Sequence, residues 1–164
     1  MSLFGLKVAK QFGEKLTSFK NQADAETVLF KRRDEKLEQL LEMAKKSGIF
    51  IPDFTPESLK PLEQWYFELY ESKSFSKFST TREEFEGCMA AYFGEVAIRN
   101  CPDARWAVRE FAYGPGKYEI GIQKKLLYLM LSKFTDHYKQ PNNKRRQRLL
   151  GIFNQLFAAR EKVQ

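Results

Sequence analysis

A chain of 164 residues and 19.3 kDa has the size of one domain and can bury most of its apolar surface without disulfide staples. Hydrophobic residues make up 43% and aromatic residues 15%, which excludes a disordered polyelectrolyte despite a mean hydropathy of −0.53. Lys and Arg outnumber Asp and Glu by 28 to 21, and one histidine with two cysteines excludes most metal-site and nucleophile recipes.

Along 3–20, Phe4, Val8, Phe12, Leu16 and Phe19 recur at three- and four-residue steps with lysines between them, which predicts an amphipathic helix. Its stripe serves either the core or a partner. A second helix is expected over 24–46, closed by Lys45, Lys46 and Gly48, although Lys31-Arg32-Arg33-Asp34-Glu35-Lys36 leaves a turn nearly free of apolar residues. Thr55 and Pro56 open a helix over 56–71 that buries Leu59, Leu62, Trp65, Tyr66 and Leu69. Thr80 with Glu83 and Thr81 with Glu84 have capping-box spacing before a helix over 82–100, which Pro102 stops.

The period then changes to two, and strands at about 105–111 and 117–122 flank Tyr113-Gly114-Pro115-Gly116 as a hairpin. A hairpin is marginal alone, so its apolar face is expected to pack on helices or on an additional strand, for which Phe50-Ile51 and part of 72–79 are the candidates. Helices over 123–138 and 144–162 complete a single domain, 1–164, of mainly helical α+β class with a small antiparallel sheet packed on helices.

The apolar run Leu126 to Leu131 is far shorter than the ~20 residues of a membrane span, and the N-terminus lacks a secretory apolar core. With Cys88 and Cys101 read as free thiols, a cytoplasmic protein is expected. His137 alone builds no two-histidine metal site, and Gly114-Pro115-Gly116 lacks the lysine and helix start of a phosphate loop, so neither a cofactor nor a metal is expected.

Three polar groups stand where a simple core pattern does not need them. At about 100° per residue Arg99 falls within the arc of Phe85, Cys88, Met89, Tyr92 and Val96, with Glu95 at its edge and Gly94 opposite, where another backbone could approach. The Glu95–Arg99 pair either seals the rim of the core or, with Trp106, floors a pocket under the hairpin. Arg105 and Arg109, with Lys117 and Glu119 on the paired strand, form either a solvated sheet face or a cationic strip. Lys144, Arg145, Arg146 and Arg148 begin the last helix, where cations oppose the dipole. Residues 124–164 hold ten basic and two acidic side chains, so this end meets either an acid inside the fold or an outside polyanion.

Thr55-Pro56-Glu57-Ser58-Leu59-Lys60-Pro61-Leu62, then Ala91-Tyr92-Phe93-Gly94-Glu95-Val96 with Arg99 and Trp106, resemble a group of small uncharacterised bacterial proteins with a "SLxxL... AYxGEVxxR... W" pattern. The resemblance covers about 55–110; where that group carries glycines before the tryptophan, this chain has Asp103-Ala104-Arg105. It implies a bacterial cytoplasmic protein, an immunity-type role as in some relatives, and Gly94, Glu95 and Trp106 as markers of the fold. The expected function is non-catalytic protein binding; the alternatives are nucleic-acid or polyanion binding through the basic C-terminal region and an enzyme using Glu95.

Overall fold

The computed structural model describes residues 2–131 and 147–159. Helix α1 (Leu3–Glu14) is capped by the Ser2 hydroxyl, which accepts from the Gly5 N–H. It is shorter than its apolar pattern suggests, because residues beyond it turn extended: the Thr17 carbonyl accepts from the Tyr118 N–H, and the Phe19 N–H donates to the Gly116 carbonyl. Leu16 therefore belongs to the turn that closes α1, and Phe19 to an extended segment lying on the hairpin, edge-on to Tyr118. α2 (Gln22–Ser47) runs from an Asn21 cap to Gly48, whose φ of 65° needs the left-handed region that glycine enters freely.

A 3-10 turn (Pro56–Ser58) capped by Thr55 leads into α3 (Leu59–Glu71). Pro61 sits in the first turn of α3, where a missing N–H costs no helical bond. α4 (Arg82–Asn100) starts on a complete capping box between Thr81 and Glu84. Trp65, Tyr66, Phe85, Tyr92 and Phe93 of these two helices are almost fully buried and form the aromatic centre of the core.

Strands β1 (Ala104–Glu110), β2 (Tyr118–Lys124) and β3 (Leu127–Met130) make an antiparallel sheet in that order. Trp106 pairs with Ile122 and Val108 with Ile120, and this face lies on α2 and α4. The third strand corrects two expectations. It comes neither from Phe50, which is buried against Trp65, nor from 72–79, which holds a 3-10 turn (Phe75–Phe78). Residues 127–130 pair with β2 where a helix over 123–138 was expected. A short unbroken apolar run carries no periodicity, and the turn at Lys125 (φ 52°) and Leu126 directs the chain back along β2. Gly121 is needed there, since an added Cβ would fall 2.7 Å from the Tyr128 ring that covers it.

The last described helix, α5 (Arg148–Leu156), lies within the expected 144–162 and packs on α3. Its N-terminus has no cap of its own. Instead Glu63, fully buried on α3, accepts from the Arg148 N–H and the Leu149 N–H, both at 2.8 Å. A carboxylate from another helix thus supplies the negative charge that the helix dipole favours and the local sequence lacks.

Candidate functional site

The structure brings Gly94, Glu95, Arg99 and Trp106 into one cluster. The Trp106 indole donates to Glu95 Oε2 at 3.1 Å, and Arg99 Nε donates to Glu95 Oε1 at 3.0 Å. Gly94 makes this approach feasible: a Cβ on it would lie 2.1 Å from the Trp106 ring. The close neighbour of the glycine is thus a side chain, not a backbone.

The cluster extends at both ends. The Arg99 guanidinium lies 3.7 Å from the centroid of Phe54, and that of Arg33 lies 5.1 Å from Trp106 and 4.8 Å from Phe30. Phe54 is held in the left-handed region at φ 58°. Its N–H donates to the Tyr92 hydroxyl, its carbonyl accepts from Asn100, and its ring stacks on Tyr92. With both carboxylate oxygens of Glu95 engaged, these residues tie α4 to β1 and to the 49–55 loop.

Two other groups have perturbed protonation. Burial pushes the Cys88 thiol up to about 11, so it stays protonated near neutral pH, with its sulfur 3.5 Å from Gln39 Oε1. Burial also raises the Glu86 carboxyl above its ordinary range, against the opposing effects of the Tyr66 hydroxyl that donates to it and of nearby Arg82. Among the described residues no group of His, Cys, Asp and Glu side chains is arranged to hold a metal ion.

The expected cationic surfaces separate. Arg105 reaches Gln123 across the sheet, and Arg109 lies 4.1 Å from the Tyr128 ring centroid. Lys117 is not a solvated sheet residue: its ammonium donates to the carbonyls of Leu16 and Glu14, closing the C-terminal end of α1. Glu119 is buried in β2 opposite Arg109. Lys144, Arg145, Arg146 and His137 lie outside the described residues, whereas Arg148 is exposed at the start of α5.

One feature did not stand out in the sequence, and the sequence left a second open. The first is a cleft of about 320 Å³ between α2, α4 and the segment after α1, with Lys15, Arg32, Arg33 and Lys36 in its wall and Leu29 and Ala91 at its floor. The apolar-free turn of α2 was its trace, since Arg32 and Lys36 lie on the cleft wall and not in the core. The second is α1 itself, whose single buried residue is Gly13. Leu3 is 89% exposed, Phe4 77% and Val8 48%, while Phe12 and Gly13 fasten the other end of the helix to the Phe111 ring.

No described helix is long and apolar enough to cross a membrane. No solved structure matches the chain. The Uncharacterized protein YwmA of Bacillus subtilis (strain 168) is 30% identical over 115 residues, covering 70% of this chain and 73% of that protein. The family described as Uncharacterised protein YwmA matches residues 18–157, a span that contains the Gly94–Trp106 cluster and the cleft helices but not α1. The chain thus belongs to this uncharacterised bacterial family.

Proposed function

We propose that this protein acts by binding another protein without catalysing a reaction, and that α1 presents the docking edge. The uncovered apolar side of α1 carries the reading. Phe4 and Val8 lie one turn apart with Leu3 beside them, all exposed, at the end of a helix whose far end packs on Phe111. Exposed apolar side chains clustered in this way mark interaction sites, and a helix entering a groove uses this i, i+4 spacing. Lys7 and Lys10 flank them, and the first turn of α1 has no acid, so the partner offers an apolar groove rimmed by carboxylates.

The absence of chemistry is inferred from how the reactive groups are used. Glu95 is held by Trp106 and Arg99, and Cys88 is kept as the thiol. An accessory or immunity role in the bacterial cytoplasm agrees with such a domain.

The test is capture from source-cell extract at moderate salt with the purified protein. One protein should be recovered at stoichiometric yield by the native chain and lost by Phe4→Asp/Val8→Asp, which alters only exposed positions. Equal recovery by that variant, or none by the native chain, would overturn the reading. Recovery of nucleic acid that disappears on charge reversal of Lys144, Arg145, Arg146 and Arg148 would replace it with polyanion binding.

A further inference from the structure

We infer that the cleft between α2 and α4 is a binding site for a small amphiphilic anion, a carboxylate or phosphate head on an apolar body. Its volume of about 320 Å³ is within the range of small-molecule sites. Of the four cations on its wall, Arg33 is paired with Asp34 at 2.9 Å, and Lys15, Arg32 and Lys36 stand against the carboxylates of Glu83 and Glu119. Glu83 is drawn towards Arg82, and Glu119 is buried in the sheet beside its cross-strand neighbour Arg109.

The cations are oriented by the fold. Arg32 donates to the Thr17 hydroxyl at 3.1 Å, Arg33 donates to Asp34 with its guanidinium near the rings of Phe30 and Trp106, and the Lys36 ammonium lies beside Gly87. Below this rim the wall turns apolar, through Leu16, Leu29, Ala90, Ala91 and Ile120. The small residues of α4 leave room for a ligand body there, and a low-dielectric floor strengthens the pull of the rim on a negative head. The inference is independent of the α1 docking edge, because Phe4 and Val8 do not line the cleft.

Titration calorimetry with decanoate and with decyl phosphate, below their micelle concentrations, tests it on the full chain. Saturable one-to-one binding of either is expected, and the stronger of the two identifies the head group. Arg32→Glu/Lys36→Glu should weaken it about tenfold or more, since both side chains are exposed and the fold survives their reversal. Gly87→Leu should abolish it by filling the mouth. The nearest atoms to an added Cβ there are the flexible end of Lys36, so this variant stays folded, as its circular dichroism will report. Three results would each overturn the inference: binding of neither amphiphile, decanol binding as tightly as decanoate, or inorganic phosphate binding as tightly as decyl phosphate. Binding that Gly87→Leu leaves unchanged would place the ligand elsewhere and overturn it equally.

Discussion

Replacing Gly94 by Ala should destabilise the protein, although the same change in a helix interior ordinarily stabilises by about 1 kcal/mol through backbone propensity. The reason is geometric. The new methyl would sit 2.1, 2.6 and 2.9 Å from three atoms of the Trp106 ring, too close for any carbon contact. The ring has little freedom to retreat, because its N–H is held by Glu95 and its face by Arg33. Forcing it out costs about 1–3 kcal/mol for overpacking. The lost indole–carboxylate bond adds about 1 kcal/mol, kept low because Glu95 is partly hydrated. After subtracting the propensity gain, Gly94→Ala should lower stability by about 1–3 kcal/mol in urea denaturation followed by circular dichroism.

Gly87 is an internal control on the same helix. The nearest atoms to its added Cβ belong to the flexible end of Lys36, at 3.1 Å from the ammonium and 3.4 Å from Cε, so Gly87→Ala should raise stability by about 0.5–1 kcal/mol. In a Trp106→Ala background, Gly94→Ala should also become stabilising, giving a coupling of about 3 kcal/mol between the two positions. If Gly94→Ala stabilises the native chain as Gly87→Ala does, the close indole–glycine contact and the cluster built on it are refuted.

Glu63→Gln should cost about 2–4 kcal/mol, because two charge-assisted bonds to the first N–H groups of α5 are weakened at once. Hydrogen exchange over 148–156 should accelerate more than exchange in α4, and uniform acceleration of both would refute the capping role. Glu86 has its carboxyl pKa raised on folding, so the native state holds that proton more tightly than the unfolded chain. Its contribution is fully present below the unfolded value near 4.5 and is lost as pH rises through the raised folded value. The stability of Glu86→Gln relative to the native protein should therefore increase with pH across that window; a flat or falling difference contradicts it. Cys88 and Cys101 are buried, and the Cys88 thiol is held protonated, so a thiol reagent at pH 8 should react with them only after urea is added. Rapid labelling of the folded protein would show that the packing of α4 around these thiols opens.

Helix α3 was legible from the Thr55-Pro56 start and its 3.6-residue period, and α4 because three signals coincide: a cap, a 3.6-residue period and a breaker. Thr81 with Glu84 shows this at the start of α4, and Pro102 follows its end. The segment after β2 was not legible, because Leu127, Tyr128, Leu129 and Met130 are all apolar and fit a buried helix as well as a strand. Only pairing across Lys125-Leu126 decides between the two. The Glu95–Arg99 pair was visible from helical spacing, and Trp106 from the family-like pattern. Their connection through Gly94 depends on where the sheet crosses α4, which periodicity does not encode.

Glu63 and the cleft were hidden for a related reason. Glu63 reads as one more polar residue on α3 until α5 is placed against it. Arg32, Arg33 and Lys36 read as a solvated face of α2 until Lys15 and the floor of α4 are brought opposite. The apolar stripe over 3–20 was visible, but α1 ends at Glu14 and loses Leu16 and Phe19 from it, and whether the rest served the core or a partner depended on its neighbours, which Phe12 and Gly13 find in Phe111.

The central claim is that α1 meets a partner protein, and site-specific photo-crosslinking in the source cells tests it most directly. A benzophenone amino acid placed at Phe4 should, on irradiation, give one discrete protein adduct, while the same group at exposed Glu42 of α2 should not produce it. The account is contradicted if Phe4 yields no adduct, or the same adducts as Glu42, in cells where the protein is folded and abundant.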